Sequence, residues 1–201
     1  NLQSRGIRTT VLDMLPHIMP GFDQEMAEYA ENHLADQGIM TLLDTKLEGV
    51  EGNGTVEKVK TSRRAIKADA LVLSLGIRAN TAFLADTGIE LAPNRTILVD
   101  DHMRTNDEDI YALGDCSMIT NRMTHQRAWS PMGSSANIEG RIAAQNIAGG
   151  DVSYPGVLGT GVVKLPGLNA GRTGLTEQAA KDAGHDVVSV VAVVDDKIGR
   201  A

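Results

Sequence analysis

Cysteine, aromatic residues, excess positive charge and long apolar runs are all scarce in this chain. There is one cysteine, Cys116. No intrachain disulfide, CxxC pair or zinc knuckle can form, and a reducing, cytoplasmic compartment is the expectation. Aromatics make up 3% of the residues, against 21 glycines, many of which lie against apolar runs. Lys and Arg number 19 against 26 Asp and Glu, for a net charge of −7. The positive footprint needed for DNA, RNA or an anionic membrane surface is therefore missing. No apolar run approaches the ~18 residues of a membrane-crossing helix. The first residue is Asn1, with neither an initiator Met nor a signal-peptide pattern after it.

What remains is 201 residues, 42% apolar and 22% charged, with 21 glycines, enough chain to bury about 70% of its unfolded surface. The opening NLQSRG reads as a helix end closing on Gly6. IRTTVLD, residues 7–13, reads as a β-branched buried strand carrying Asp13 at its carboxyl end. Asp23 then N-caps QEMAEYAENHLADQ, in which Met26, Tyr29, Ala30, His33 and Leu34 keep helical spacing up to Gly38. A second strand is expected over residues 39–43 and an antiparallel meander over 46–67.

ALVLSLG, residues 70–76, and IYALGDC, residues 110–116, read as central buried strands, with an edge hairpin over ILVDDHMRTND. A long loop to Pro131 precedes a helix of small residues over 134–147, stopped by Gly149 and Gly150. Composition changes near Asp151. Two strands, a Thr176-capped helix and a final strand, DVVSVVAVVD, open a further α+β unit. The first 150 residues thus predict a doubly wound α/β fold with a mostly parallel sheet.

Ligands of such sheets lie beyond the carboxyl ends of strands, so Asp13, Gly76 and the Gly114-Asp115 pair are the first candidates. A carboxylate at the end of a second Rossmann strand accepts both ribose hydroxyls of NAD and disfavours the extra phosphate of NADP. The GxGxxG fingerprint belongs roughly 20 residues before such an acid, yet only twelve residues precede Asp13. Gly114 permits close approach of a ligand to backbone, and Asp115 can accept from a hydroxyl. Met132, Gly133 and Ser134 present backbone N–H groups at the positive end of a helix dipole. The five histidines show no metal-ligand spacing.

These pieces occur together in a recognisable order. TTVLDMLPHIMPGFDQEM, LVLSLGIRANTAFLADTGIEL, ILVDDHMRTNDEDIYALGDC, the GRIAAQNIAGG helix, LGT with Val163 and Lys164, and TGLTEQAAKDAG resemble the FAD-dependent pyridine nucleotide-disulfide oxidoreductases. The nearest branch contains NADH oxidases, coenzyme A disulfide reductases and persulfide reductases. The resemblance implies three partial units: an NAD(H)-binding domain over residues 1–78, the returning part of an FAD-binding domain over 79–150, and the start of a dimerisation domain over 151–201. The parent would be more than twice as long, homodimeric and cytoplasmic, with its redox cysteine outside this chain. The 201-residue slice alone would be colourless and inactive.

By the same resemblance, Asp13 binds the adenosine ribose of NAD, and Gly76 lies along the nicotinamide nucleotide. Asp115 binds the ribityl chain of FAD, with Gly114 giving close approach. Met132, Gly133 and Ser134 face the flavin pyrimidine edge, although SPMGSSAN departs from the family's more usual Leu-Ala pair. Cys116 is a buried filler. The implied activity is hydride transfer from NADH to FAD and onward to a small disulfide, a persulfide or oxygen. A ferredoxin or rubredoxin reductase, or a non-catalytic dinucleotide-binding module, is the alternative.

Overall fold

Local sequence signals account for the helices. The computed structural model describes residues 2–194. After a 3-10 turn over Gln3–Arg5, closed by Gly6, β1 (Thr10–Leu12) leads into α1 (Gln24–Asp36) and returns as β2 (Met40–Leu42). β1 and β2 pair in parallel, Val11 opposite Thr41, so the three elements form a βαβ crossover. Asp23 has the extended backbone of an N-cap, but its Oδ1 accepts instead from the Glu177 amide at 2.7 Å. The buried stripe of α1 is Ala27, Ala30 and Leu34. Met26 and Tyr29, expected on that face, are exposed.

β3 (Leu47–Glu51), β4 (Lys58–Thr61) and β5 (Ala65–Lys67) make the antiparallel meander. β6 (Ile97–Leu98) then pairs in parallel with β7 (Ser117–Thr120), which pairs antiparallel with β8 (Arg127–Ala128). α2 (Gly133–Ile147) follows, then the hairpin of β9 (Gly161–Leu165) and β10 (Leu168–Arg172), and α3 (Glu177–Asp182). Thr176 caps α3 as expected, its Oγ1 accepting from the Ala179 amide at 3.1 Å. The fold is α/β, and among the described residues its strands are gathered in four small sheets. The mostly parallel sheet expected over the first 150 residues is not seen among the described residues: only β1–β2 and β6–β7 pair in parallel, and the other four pairings are antiparallel.

Three expected strands do not form among the described residues. Residues 70–76 have no regular structure, and Val72, Leu73 and Leu75 are exposed. A strand needs ladder partners on its flanks, and none of the described strands pairs with this run. IYALGDC likewise contributes only a single bridge, Tyr111 to Arg104, before a 3-10 turn over Gly114–Cys116. The ladder forms one step later, at β7, within the stretch expected to be loop. Residues 186–194 are also irregular, and Asp195, the end of that expected strand, lies outside the described residues.

Two apolar clusters hold these pieces. One joins Ile97, Val99, Met103, Ala112, Ile119, Ile142, Ala143 and Tyr154, seating α2 on β6 and β7. The other joins Ile18, Ala30, Leu34 and Ile39, with Leu165 and Leu168 of the hairpin packed against it. Ile119 is 2% exposed at the centre of the first cluster. Ile119→Ala should cost about 2–5 kcal/mol by lost transfer energy and the cavity left behind. The urea midpoint of unfolding would fall accordingly, and an unchanged midpoint would contradict the assignment of this core.

Candidate functional site

The first site is a turn held against a helix start. Gly114 is buried at φ +78°, a left-handed conformation that side chains with a Cβ rarely adopt. A Cβ built there would lie 3.6 Å from the Ala136 Cβ, so the turn rests on the first turn of α2. Three further bonds shape it. The Ser117 hydroxyl lies 2.9 Å from the Gly114 carbonyl, the Trp129 indole N–H donates to the Asp115 carbonyl at 2.8 Å, and Cys116 Sγ approaches the Leu113 carbonyl at 3.4 Å.

The Asp115 side chain is thereby left exposed, and no hydrogen bond to it is found among the described residues. Met132 is the N-cap of α2, with extended backbone and no side-chain cap. Gly133 and Ser134 occupy the first exposed positions of that helix, where amides have no intrahelical acceptor. Among the described residues, the turn that rests on α2 thus carries a carboxylate without a partner, and the start of that helix carries amides without acceptors at a positive dipole end.

Glu139 underlies both features. It is fully buried on α2, and its Oε2 accepts from the Gly114 amide at 2.7 Å and lies 3.0 Å from the Ser117 hydroxyl. Burial pushes its carboxyl above the usual range, against the lowering effect of the Gly114 and Ser117 hydrogen bonds. Burial also raises the Cys116 thiol, with the charges of Glu139 and Asp115 adding to the effect. That thiol is poorly suited to nucleophilic chemistry.

Asp13 stands just past the end of β1, half-buried. Its backbone continues the pairing with β2, the amide donating to the Leu42 carbonyl and the carbonyl accepting from Thr45. Its Oδ1 accepts from the Leu15 amide at 3.0 Å, forming a turn. The loop beyond is anchored at Ile18, whose amide donates to Glu31 Oε1 at 2.9 Å. Gly76 is at φ +85° in the exposed segment between Leu75 and Ile77. No hydrogen bond links Asp13 or Gly76 to the Gly114–Ser134 group among the described residues.

A matching family profile, that of the pyridine nucleotide-disulphide oxidoreductases, covers residues 1–133. The chain belongs to this family. An NAD(P)H sulfur oxidoreductase (CoA-dependent) of Pyrococcus furiosus is 34% identical over 185 residues, which are 92% of this chain and 42% of the relative. The chain spans about two-fifths of the length of the curated relatives it matches. Among solved structures, an FAD-dependent pyridine nucleotide-disulphide oxidoreductase from Desulfovibrio vulgaris is 38% identical, with a TM-score of 0.84 over 93% of this chain and 48% of that one.

The water-forming NADH oxidase of Lactobacillus brevis, bound to NADH, is 29% identical, with a TM-score of 0.84 over 90% of this chain and 40% of that one. A variant of that oxidase, engineered by five substitutions and bound to NADPH, matches equally well. Four of its changes replace an aspartate, the two residues that follow, and a proline seven positions after the aspartate. Asp13, Met14, Leu15 and Pro20 have the same spacing in this family member.

Glu139 is the residue that sequence reasoning missed. The signal was available: Ser135, Glu139, Ile142, Ala143 and Asn146 fall at steps of four, three, one and three and are all buried, so a carboxylate stands on the core stripe of α2. Asn146 on the same stripe secures the far end of the helix. Its Nδ2 donates to the carbonyls of His102 and Val152, and its Oδ1 accepts from the Val152 amide.

His102 joins Asp101 at 2.7 Å to Asp151 at 2.9 Å through its two ring nitrogens. Partial burial disfavours its charged form, but the bonds to Asp101 and Asp151 and the charge of Asp100 outweigh this and raise its pKa above 6.5. A raised folded-state pKa stabilises fully below the unfolded value, and that contribution is lost as pH rises through the folded value. The stability advantage of wild type over His102→Gln should therefore shrink between about pH 6 and pH 8. Urea unfolding of both proteins across that range checks the sign, and a growing advantage would refute the ion-pair reading.

Proposed function

We propose that this chain is the core of an FAD-dependent NADH oxidoreductase that passes hydride from NADH to FAD and electrons onward to a disulfide, persulfide or oxygen acceptor. The observation that carries the reading is the Gly114-Asp115 turn seated on the uncapped start of α2. Its donor set suits a flavin nucleotide: an unengaged carboxylate for a polyhydroxylated chain, and free amides at a dipole end for an electron-rich ring edge. The Asp115 carboxylate accepts from ribityl hydroxyls, and Gly114 lets the chain lie close. The amides of Gly133 and Ser134, next to Met132, stabilise negative charge that develops on the ring. FAD, when bound, supplies hydride acceptance from NADH and electron delivery to the acceptor.

Asp13 holds the adenosine ribose of NAD(H), a role supported by its place at the end of β1 and by the spacing to Pro20. Gly76 gives the nicotinamide nucleotide an approach to backbone. On this reading, residues 1–78 belong to the NAD(H) unit, 79–150 to the FAD unit and 151–201 to the start of a dimerisation unit in a cytoplasmic homodimer. No helix among the described residues is long and apolar enough to cross a membrane.

The test is anaerobic titration of the full-length protein with NADH. One equivalent should bleach the flavin absorbance, and coenzyme A disulfide, polysulfide or oxygen should restore it. A protein that holds no flavin, or whose flavin NADH does not bleach, overturns the reading. Reoxidation by ferredoxin alone would overturn the acceptor class.

A further inference from the structure

We propose that Glu139 is a positioning residue of the flavin site, fastening the Gly114-Asp115 turn to α2 so that the Asp115 carboxylate and the amides of Gly133 and Ser134 keep one spacing. The inference rests on the reading above and adds to it a residue that touches neither nucleotide. Glu139 is 0% exposed. One oxygen, Oε2, takes the Gly114 amide at 2.7 Å and faces the Ser117 hydroxyl at 3.0 Å. The other, Oε1, is buried without a partner.

A carboxyl group in that state is costly for packing alone, since an apolar side chain would fill the stripe between Ser135 and Ile142 with no orphaned oxygen. What the carboxyl supplies is an acceptor for a buried amide. In its left-handed turn Gly114 points its N–H away from any strand partner, and among the described residues Glu139 alone accepts it. Ser117, the first residue of β7, is drawn in by the same oxygen, so β7, the turn and α2 are joined at one atom. The two groups assigned to the flavin stand on opposite sides of this joint. Asp115 follows Gly114 directly, and Gly133 and Ser134 begin the helix that carries Glu139.

The test compares Glu139→Ala, Glu139→Gln and Ser117→Ala in the full-length protein, reading FAD dissociation by fluorescence, circular dichroism in the flavin band, and the urea midpoint. Glu139→Ala should weaken FAD binding about tenfold or more and change the flavin-band dichroism, because the Gly114 amide loses its acceptor. Glu139→Gln keeps an oxygen at the joint and should return the FAD dissociation constant to within about threefold of wild type. Ser117→Ala, which leaves the Gly114 bond in place, should give a smaller weakening than Glu139→Ala.

Unchanged FAD affinity and dichroism in Glu139→Ala overturn the proposal, as does a Glu139→Gln protein as impaired as Glu139→Ala. If Glu139→Ala does not fold, the other two variants decide it: Glu139→Gln near wild type with Ser117→Ala weakened supports the joint, and any other pattern overturns it. Wild-type protein that binds no FAD refutes the functional reading itself, an outcome distinct from wild-type binding with unaffected variants.

Discussion

Asp115→Ala in the full-length protein is expected to raise the FAD dissociation constant about ten- to a hundredfold, the cost of removing a charged hydrogen-bond acceptor from a bound hydroxyl chain. The effect should be confined to binding. Asp115 is exposed, and the turn that carries it is held by other atoms: the Gly114 amide on Glu139, the Trp129 indole on the Asp115 carbonyl, and Ser117. The urea midpoint of the FAD-free protein should therefore stay at its wild-type value. Asp115→Asn keeps an acceptor of the same shape without the charge and should fall between the two. Equilibrium titration of the FAD-free proteins with FAD reads all three. An Asp115→Ala protein that binds FAD within twofold of wild type would remove Asp115 from the site.

The second large effect is expected at Asp13. Asp13→Ala should raise the KM for NADH about tenfold or more, and combining it with Met14→Arg should turn the preference toward NADPH, because a repelling carboxylate is replaced by a cation suited to a phosphate. Asp13 has a second task, since its Oδ1 also accepts from the Leu15 amide. Asp13→Asn separates the two, as the amide oxygen can keep the turn while the charge is lost. Weaker NADH binding without a change in the NADPH to NADH ratio would mean that the loop matters and the charge does not. The ratio of kcat/KM for the two nucleotides, measured on the FAD-loaded full-length protein, reads this directly. A ratio that stays fixed in all three variants would sink the assignment.

Elements that satisfy their own hydrogen bonds could be read from the sequence. α1 and α2 begin and end within about two residues of the expected bounds because caps, glycine stops and apolar spacing are all local. The β9–β10 hairpin and the Thr176 cap were equally legible. The apolar runs at residues 70–76 and 110–116 were not, since apolarity marks a segment fit for a central strand without supplying its neighbours. The first run stands exposed, and the second hands its ladder on to Ser117–Thr120. For the candidate site, position was legible and support was not: Asp115 and the start of α2 could be picked out by their places after an apolar run and a proline.

By itself the sequence determined that this is an α/β chain of the disulphide oxidoreductase family, with one cysteine, 3% aromatic residues and a net charge of −7. It also marked which carboxylates and glycines are candidates for a nucleotide. Only the tertiary structure decided that Glu139 lies beneath them, that Asp23 serves the start of α3, and that His102 ties Asp101 to Asp151. Apart from the neighbouring pair His102 and Asp101, each of these bonds joins residues far apart in the chain. Their existence depends on which donor is left without a partner once the backbone has folded, and no local pattern encodes that.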